Sequence, residues 1–356
     1  VVSWISSWEH QPDVVHCHDH HTALIPFMMK YCYDFQHLAA VSTVVTIHNG
    51  QYQGWMGWDK SLYIPRWDLW KRGMLDWAGR INPLASGVKC ADKVTTVSWS
   101  YMDELRENAN GLEALFEFEK GKCAGILNGI DNEVWNPSTD TYIENRFTVK
   151  TVTKGKEQNK KILCDQFGLD ITKPLFVFIG RLVGEKAADI LPDAIRTAIY
   201  QTQGNACFLI LGSGETSIEW ELQQMTNEYQ GIYNAYIGYN EQLSHLIYAG
   251  ADFLLMPSRV EPCGLNQMYA MRYGTVPVVR STGGLKDTVT DMGDTDGFGI
   301  RFNNATIDDL AYSIGRGVSV YQDKKHMEWM RKYMMQIDHS WESTVSEYRQ
   351  VYQSLK

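Results

Sequence analysis

Residues 251–289 read ADFLLMPSRVEPCGLNQMYAMRYGTVPVVRSTGGLKDTV. Asp252–Met256 is a short apolar run that predicts a strand. Leu265–Tyr273 has a helical pattern. Val276–Val279 is β-branched and predicts a second strand, and after a Thr-Gly-Gly turn a further helix opens over Leu285–Val289. Strand, helix, strand, helix in this order is the signature of an α/β fold with a parallel sheet.

The same alternation extends outward in both directions. Upstream, PLFVFIG at Pro174–Gly180 predicts a buried strand and Ala188–Tyr200 a helix. Ala206–Leu211 predicts a strand running into GSGE. A strand lies within Gly231–Gly238, and a short helix over Gln242–Tyr248. The first half repeats the theme with strands at Asp13–His16, Ser42–Ile47, Val94–Val97 and Gly125–Leu127, and helices at Thr22–Tyr31 and Ser100–Glu107. Asn136–Lys161 is polar and irregular and includes the lysine-rich KGKEQNKK, which predicts a linker or an exposed helix start. The tail from Lys324 to Leu355 is helical. These features divide the chain into an N-terminal Rossmann-like domain (1–160), a second Rossmann-like domain (161–325) and a helical segment (326–356). A chain of 356 residues suits two domains.

Composition excludes some functions. The net charge is −9 and no run of five basic residues occurs, so nucleic acid is not an expected partner. The longest apolar runs are too short to span a bilayer, so no membrane is expected. VVSWISSWEH does not read as a signal peptide. Seven cysteines, an odd number without a CxxC, predict a reduced, cytoplasmic protein. The chain starts without Met and its first convincing strand comes at once, so a fragment or processed chain is expected.

Four stretches carry chemistry. In DVVHCHDHHTAL (Asp13–Leu24), four histidines, a cysteine and an aspartate fall within His16–His21. These are metal-ligand types, and they are equally suited to lining a cleft. In an extended strand His16, His18 and His20 share one face and His21 takes the other. His18, Asp19, His48 and Ser98 all follow predicted strand ends, where ligands sit in parallel sheets. GRLVGEK (Gly180–Lys186) sets Arg181 and Lys186 at a strand mouth, a fork and a point charge suited to a diphosphate or simply to solvent. The loop carrying Glu261 opens a helix near Gly264-Leu265, where free amides could receive an anion or a sugar hydroxyl; Glu261 could equally cap an ordinary turn. RSTGGLKDTV (Arg280–Val289) has glycines that let amides approach an oxyanion, or that merely make a tight turn. No GxGxxG follows a strand, so a dinucleotide site is not supported.

Taken together, GRLVGEK, IGYNEQLSHLIYAGADFLLMPSRVEPCGLNQMYAMRYGTVPVVRSTGGLKDTV, GFGIRFNNAT, DVVHCHDHHTAL, VTIHNGQYQG, ADKVTTVSWSY, LNGIDNEVWNPSTD and IDHSWESTVSEY resemble the bacterial and plant-type glycogen and starch synthases, from about Pro12 to Tyr352. These are retaining glucosyltransferases of GT-B architecture, two facing Rossmann-like domains with a cleft between them. The resemblance implies transfer of glucose from ADP-glucose, or UDP-glucose, to the non-reducing end of an α-1,4-glucan, with no cofactor and no metal. It implies that Arg181 and Lys186 hold the donor diphosphate and that Glu261 contacts the donor glucose. Cys263, Gly264 and Leu265 offer it amides, Thr282 and Gly283 approach the distal phosphate, and Tyr239 stacks near the base. His48 is the implied active-site histidine, Asp19 contacts the sugar or acceptor, and Asn128 faces the cleft. The segment 326–356 is implied to cross back to the N-terminal domain.

The chain departs from the family pattern at several points. His20 stands where Trp is usual, Gly50-Gln51 where Leu-Ala is common, Glu185 for Gln, and Ala187 for Gly. Tyr269 lies eight residues after Glu261, as in the glycogen synthases. The family's N-terminal KTGGL loop does not occur in this stretch, so an incomplete first domain is expected. Other readings of the same residues are another GT-B enzyme such as a nucleotide-sugar epimerase, a catalytically impaired nucleotide-sugar- or glucan-binding fragment, and a histidine-cluster metalloenzyme.

Overall fold

The computed structural model describes residues 1–355, which form two compact units. The first comprises Val1–Asn128 and the C-terminal residues from Glu342 onward; the second comprises Gly129–Trp341.

In the first unit four parallel strands stand in the order β1 (Val14–His18), β2 (Ser42–Ile47), β3 (Lys93–Thr96) and β4 (Cys123–Gly125). β2 is central and almost wholly buried, as its β-branched sequence STVVTI requires. β1 runs two residues beyond its expected end, to His18, and there a helix takes over at Asp19–Thr22. His20 is therefore helical and does not share a strand face with His16 and His18. The expected helix Thr22–Tyr31 is likewise split: its second part is Ile25–Tyr31, with Pro26 in the first turn, where a missing N–H costs nothing.

The second unit has a six-stranded parallel sheet. In chain order its strands are β5 (Leu175–Leu182), β6 (Cys207–Gly214), β7 (Tyr233–Ile237), β8 (Phe253–Met256), β9 (Val276–Arg280) and β10 (Ile300–Phe302). In space the order is β10-β9-β8-β5-β6-β7. The chain starts in the middle at β5, runs out to β7, then returns to lay β8 on the other side of β5. The point of reversal lies between β5 and β8, and the crevice beyond the carboxyl ends of such strands is where open α/β sheets bind ligands. Phe176 on β5 and Phe253 on β8 stack across this junction at 4.6 Å, which anchors the two strands beneath the crevice.

The lysine-rich stretch is neither a linker nor an exposed helix start. It lies inside the helix Val152–Phe167, and two of its lysines, Lys156 and Lys160, point inward one turn apart. Lys160 pairs with the buried Asp252 at 2.7 Å, and Arg331 holds the other oxygen of that carboxylate at 2.6 Å. Lys156 donates to the carbonyls of Tyr248, Ala249 and Tyr273 and to Thr275 Oγ1, at 2.7–3.2 Å. It thereby helps satisfy carbonyls at the ends of two helices, Glu241–Gly250 and Asn266–Arg272, where intrahelical partners run out; Thr275 Oγ1 also donates to Tyr248 O at 2.7 Å. Burial pushes its ammonium well below the usual lysine range. This packing assigns 129–160 to the second unit, so the compact division falls at Asn128 rather than at residue 160. In the tail, helix Lys324–Met334 also belongs to the second unit, and only residues from Glu342 belong to the first.

Candidate active site

In the second unit the turn Gly184–Lys186 follows β5 and the loop 257–265 follows β8. The two are stapled together. The N–H of Arg259 donates to Glu185 O at 2.9 Å, and its guanidinium grips the Asp189 carboxylate with both terminal nitrogens at 2.5 and 2.8 Å. Across this staple Lys186 Nζ meets Glu261 Oε2 at 2.7 Å, and Ser258 Oγ donates to the same oxygen at 2.9 Å. Arg181 stands on β5 with its side chain 61 % exposed, and its Nη2 lies 3.3 Å from Glu185 Oε2. Glu185, the acidic departure from the family string, is thus paired with a cation.

The Thr-Gly-Gly turn does more than offer amides. Gly284 N–H is shared by the carbonyls of Glu261 and Pro262, each at 3.2 Å. A Cβ on Gly283, which has φ +42°, would lie 2.2 Å from Glu261 O; one on Gly284 would lie 2.1 Å from Cys263 O. Only glycine permits this approach, so STGG fixes the EPCG loop in place. Cys263 is buried there. Gln267 donates from Nε2 to the carbonyls of Cys263 and Gly264, which locks the turn at Gly264 (φ +73°). Thr282 is buried beside it, and Leu265 leads into the helix Asn266–Arg272.

Two cavities meet above these strands. One, of about 240 Å³, is lined by Gly180, Lys186, Ser258, Glu261, Leu265 and Asn266. The other, of about 310 Å³, is bounded by Arg181, Gly212, Tyr239 and the rings of Trp135, Tyr248 and Tyr269. Ile179, Gly180 and Asn266 border both, so a ligand with a charged middle and an aromatic end has adjoining compartments. Tyr239 is 83 % exposed, leaving its ring face open.

Sequence reasoning missed most of this wall. Trp135 is sandwiched between Tyr269 at 4.0 Å and His245 at 3.9 Å. His245 Nδ1 lies 2.8 Å from Asp140 Oδ2, which also accepts the Tyr273 hydroxyl. Burial opposes ionisation of Asp140, but the hydrogen bonds from His245 and Tyr273 outweigh it and hold its carboxyl below the usual range. Asn266 Nδ2 ties the helix start to β5 through Ile179 O at 2.7 Å. Trp135 and Asp140 both lie within WNPSTD, but nothing in the spacing of that string joins them to residues beyond 240.

In the first unit His48 follows β2. Its N–H donates to Asp19 Oδ1 at 2.7 Å, and His18 Nδ1 lies 3.0 Å from His48 Nε2. His16, one turn of the pleat behind and stacked on His18 at 4.5 Å, bonds Tyr352 OH at 2.7 Å and Thr46 Oγ1 at 2.6 Å. Both ring nitrogens of His16 are thus engaged by hydroxyls. Burial and the neighbouring His18 and His48 lower its pKa to about 4. Among the described residues no group of three or more His, Cys, Asp or Glu side chains is disposed to hold a metal ion. The histidine cluster instead lines a strand end, beside a cavity of about 250 Å³ bordered by Asp19, His20, His21, Asn49 and Tyr52. Asn128 follows β4 at the end of the first of this unit's two segments.

The seven cysteines form no disulfide among the described residues, and no helix there is long and apolar enough to cross a membrane. Two parallel-sheet α/β units, with a paired lysine and glutamate at the reversal point of the second, fit the GT-B class of glycosyltransferases, and comparison with known proteins puts the chain in that class. Residues 1–118 match the starch synthase catalytic domain and residues 173–318 the group 1 glycosyl transferases. Glycogen synthase of Flavobacterium johnsoniae is 53 % identical over 99 % of this chain and 74 % of its own length. That of Rhodospirillum rubrum is 39 % identical over 97 % of the chain and 71 % of its own. The catalytic domain of starch synthase IV from Arabidopsis thaliana, solved with ADP and acarbose, superposes with a TM-score of 0.87 at 33 % identity, covering 99 % of this chain and 75 % of that one. The chain belongs to the glycogen synthase family.

Proposed function

We propose that the chain transfers glucose from ADP-glucose to the non-reducing end of an α-1,4-glucan with retention at the anomeric carbon. The observation that carries this reading is the Lys186–Glu261 pair at the β5/β8 reversal, with Arg181 beside it and the aromatic-walled cavity adjoining. Arg181 and Lys186 take the diphosphate and stabilise its charge as the bond to the anomeric carbon breaks. Glu261 receives glucose hydroxyls, helped by the amides of Cys263, Gly264 and Leu265. Thr282 and Gly283 approach the distal phosphate, and Tyr239 stacks on the base. The acceptor hydroxyl attacks from the face the diphosphate leaves, and its proton passes to the departing diphosphate. His48, oriented by Asp19 and His18, contacts the reacting sugar; Asp19 and Asn128 serve the sugar or the acceptor. Similarity to a starch synthase that holds ADP supports the adenine donor. An odd number of cysteines, seven, without a CxxC supports a cytoplasmic location.

The first test is calorimetric titration with ADP-glucose and UDP-glucose, each with and without EDTA, followed by glucan elongation assays. Tighter, chelator-insensitive binding of ADP-glucose and elongation that His48→Ala lowers by about a hundredfold or more are expected. A UDP preference overturns the donor assignment. Donor binding without elongation favours a binding protein over an enzyme.

A further inference from the structure

The groups that would receive a diphosphate are already engaged by carboxylates. Glu261 holds Lys186 at 2.7 Å, Glu215 Oε1 accepts Gly184 N–H at 3.1 Å, and Glu185 faces Arg181 at 3.3 Å. These contacts differ in kind. Glu261 is buried and doubly held by Lys186 and Ser258. The Glu185–Arg181 pair joins a fixed partner to a loose one: the Glu185 side chain is 16 % exposed and that of Arg181 61 %.

We infer that Glu185 sets donor affinity, acting as a built-in counter-ion that competes with the nucleoside diphosphate for Arg181. The inference rests on the reading of Arg181 as a diphosphate ligand. Arg181 is free to turn toward a phosphate, because an exposed ion pair is cheap to exchange. Glu185 cannot withdraw as easily, because its side chain is only 16 % exposed and the backbone that carries it is pinned. Its carbonyl accepts the N–H of Arg259 at 2.9 Å and of Val260 at 3.4 Å, and its turn is closed by Lys186 N–H to Val183 O and Ala187 N–H to Gly184 O, both 3.0 Å. Once Arg181 has turned, the carboxylate is left beside the incoming negative charge, in a partly covered site where like charges are poorly screened. Arg259 cannot compensate, since both its terminal nitrogens are committed to Asp189. The consequence is weaker donor binding and faster release of the nucleoside diphosphate product than an uncharged side chain would give.

The test is calorimetric titration of ADP, with adenosine as the uncharged control, on the unaltered chain and on Glu185→Gln, Glu185→Ala and Arg181→Ala. Glu185→Gln and Glu185→Ala are expected to bind ADP about three- to tenfold more tightly with adenosine affinity unchanged, and Arg181→Ala to bind ADP more weakly. Unchanged or weaker ADP binding in the Glu185 variants, with Arg181→Ala still impaired, overturns the inference and makes Glu185 an orienting partner of Arg181. ADP affinity untouched by Arg181→Ala overturns the underlying assignment of Arg181 itself.

Discussion

Asp19 reaches from the end of β1 to the loop after β2 and accepts the N–H of His48 at 2.7 Å, while its own backbone sits in the left-handed region at φ +53°. A non-glycine residue held there costs on the order of 1 kcal/mol, tolerated only where the surroundings over-determine it. Here the carboxylate is the reason: it also lies 3.4 Å from Asn49 N–H, so one side chain fixes the turn that presents His48.

That geometry separates two roles for Asp19. Asp19→Asn keeps an acceptor oxygen and should lower kcat by about tenfold; Asp19→Ala removes it and should lower kcat by about a hundredfold or more. ADP affinity should hold in both. Equal losses in steady-state kinetics would mean that the charge itself acts on the substrate.

Ala187 is also left-handed, at φ +53°, and is buried directly after Lys186. Ala187→Gly relieves a conformation that costs an L-residue about 1–2 kcal/mol, against the extra entropy of glycine in the unfolded chain. A net stabilisation of about 0.5–1 kcal/mol in urea unfolding is expected. Ala187→Val should destabilise by more than that, and a fall in stability with glycine would show the strain to be absent.

The ring column should matter to the nucleotide without touching the phosphates. His245 backs Trp135 at 3.9 Å with its edge held by Asp140. Truncation to His245→Ala removes one wall of the sandwich and should weaken adenosine and ADP binding in parallel by about three- to tenfold, with a red shift of tryptophan emission. Weakening of ADP alone would place the effect at the phosphates instead.

Stability should fall with acid in a defined window. His16 is held to about 4 by burial and by His18 and His48, and His339 to about 4 by burial. Below the ordinary histidine value near 6.5 the unfolded chain takes up protons that these folded rings refuse, so stability is full above pH about 6.5 and declines down to about 4. His16 is partly exposed, so a loss of about 1–3 kcal/mol is the expected scale for that group. Urea unfolding between pH 7.5 and 4.5 measures it, and His16→Gln should flatten part of the slope.

Much of the fold was legible because it is local. STVVTI matches its strand end for end, and DFLLM and PLFVFIG differ from theirs by at most two residues at either end, since apolar β-branched and aromatic runs bounded by turns have few alternatives. KGKEQNKK was misread for a physical reason: lysines are almost always exposed, and acceptors brought by distant residues, from Lys173 and Tyr248 to Tyr321, make Lys156 and Lys160 internal. Candidate site residues were legible as types and motifs. Their contacts were not, for Lys186 and Glu261 stand 75 positions apart and meet because β5 and β8 are neighbours at the reversal of the sheet.

The sequence by itself determined the α/β class, most strands, the family and the residues worth watching, because each of these is written in short-range pattern. The tertiary structure alone decided that STGG seats the EPCG loop, that Trp135 walls the cavity beside Arg181 and Tyr239, that Asp19 holds the His48 turn, and that the second unit begins at Gly129. Those are close approaches between segments distant in sequence, set by strand order and packing, and no local propensity encodes them.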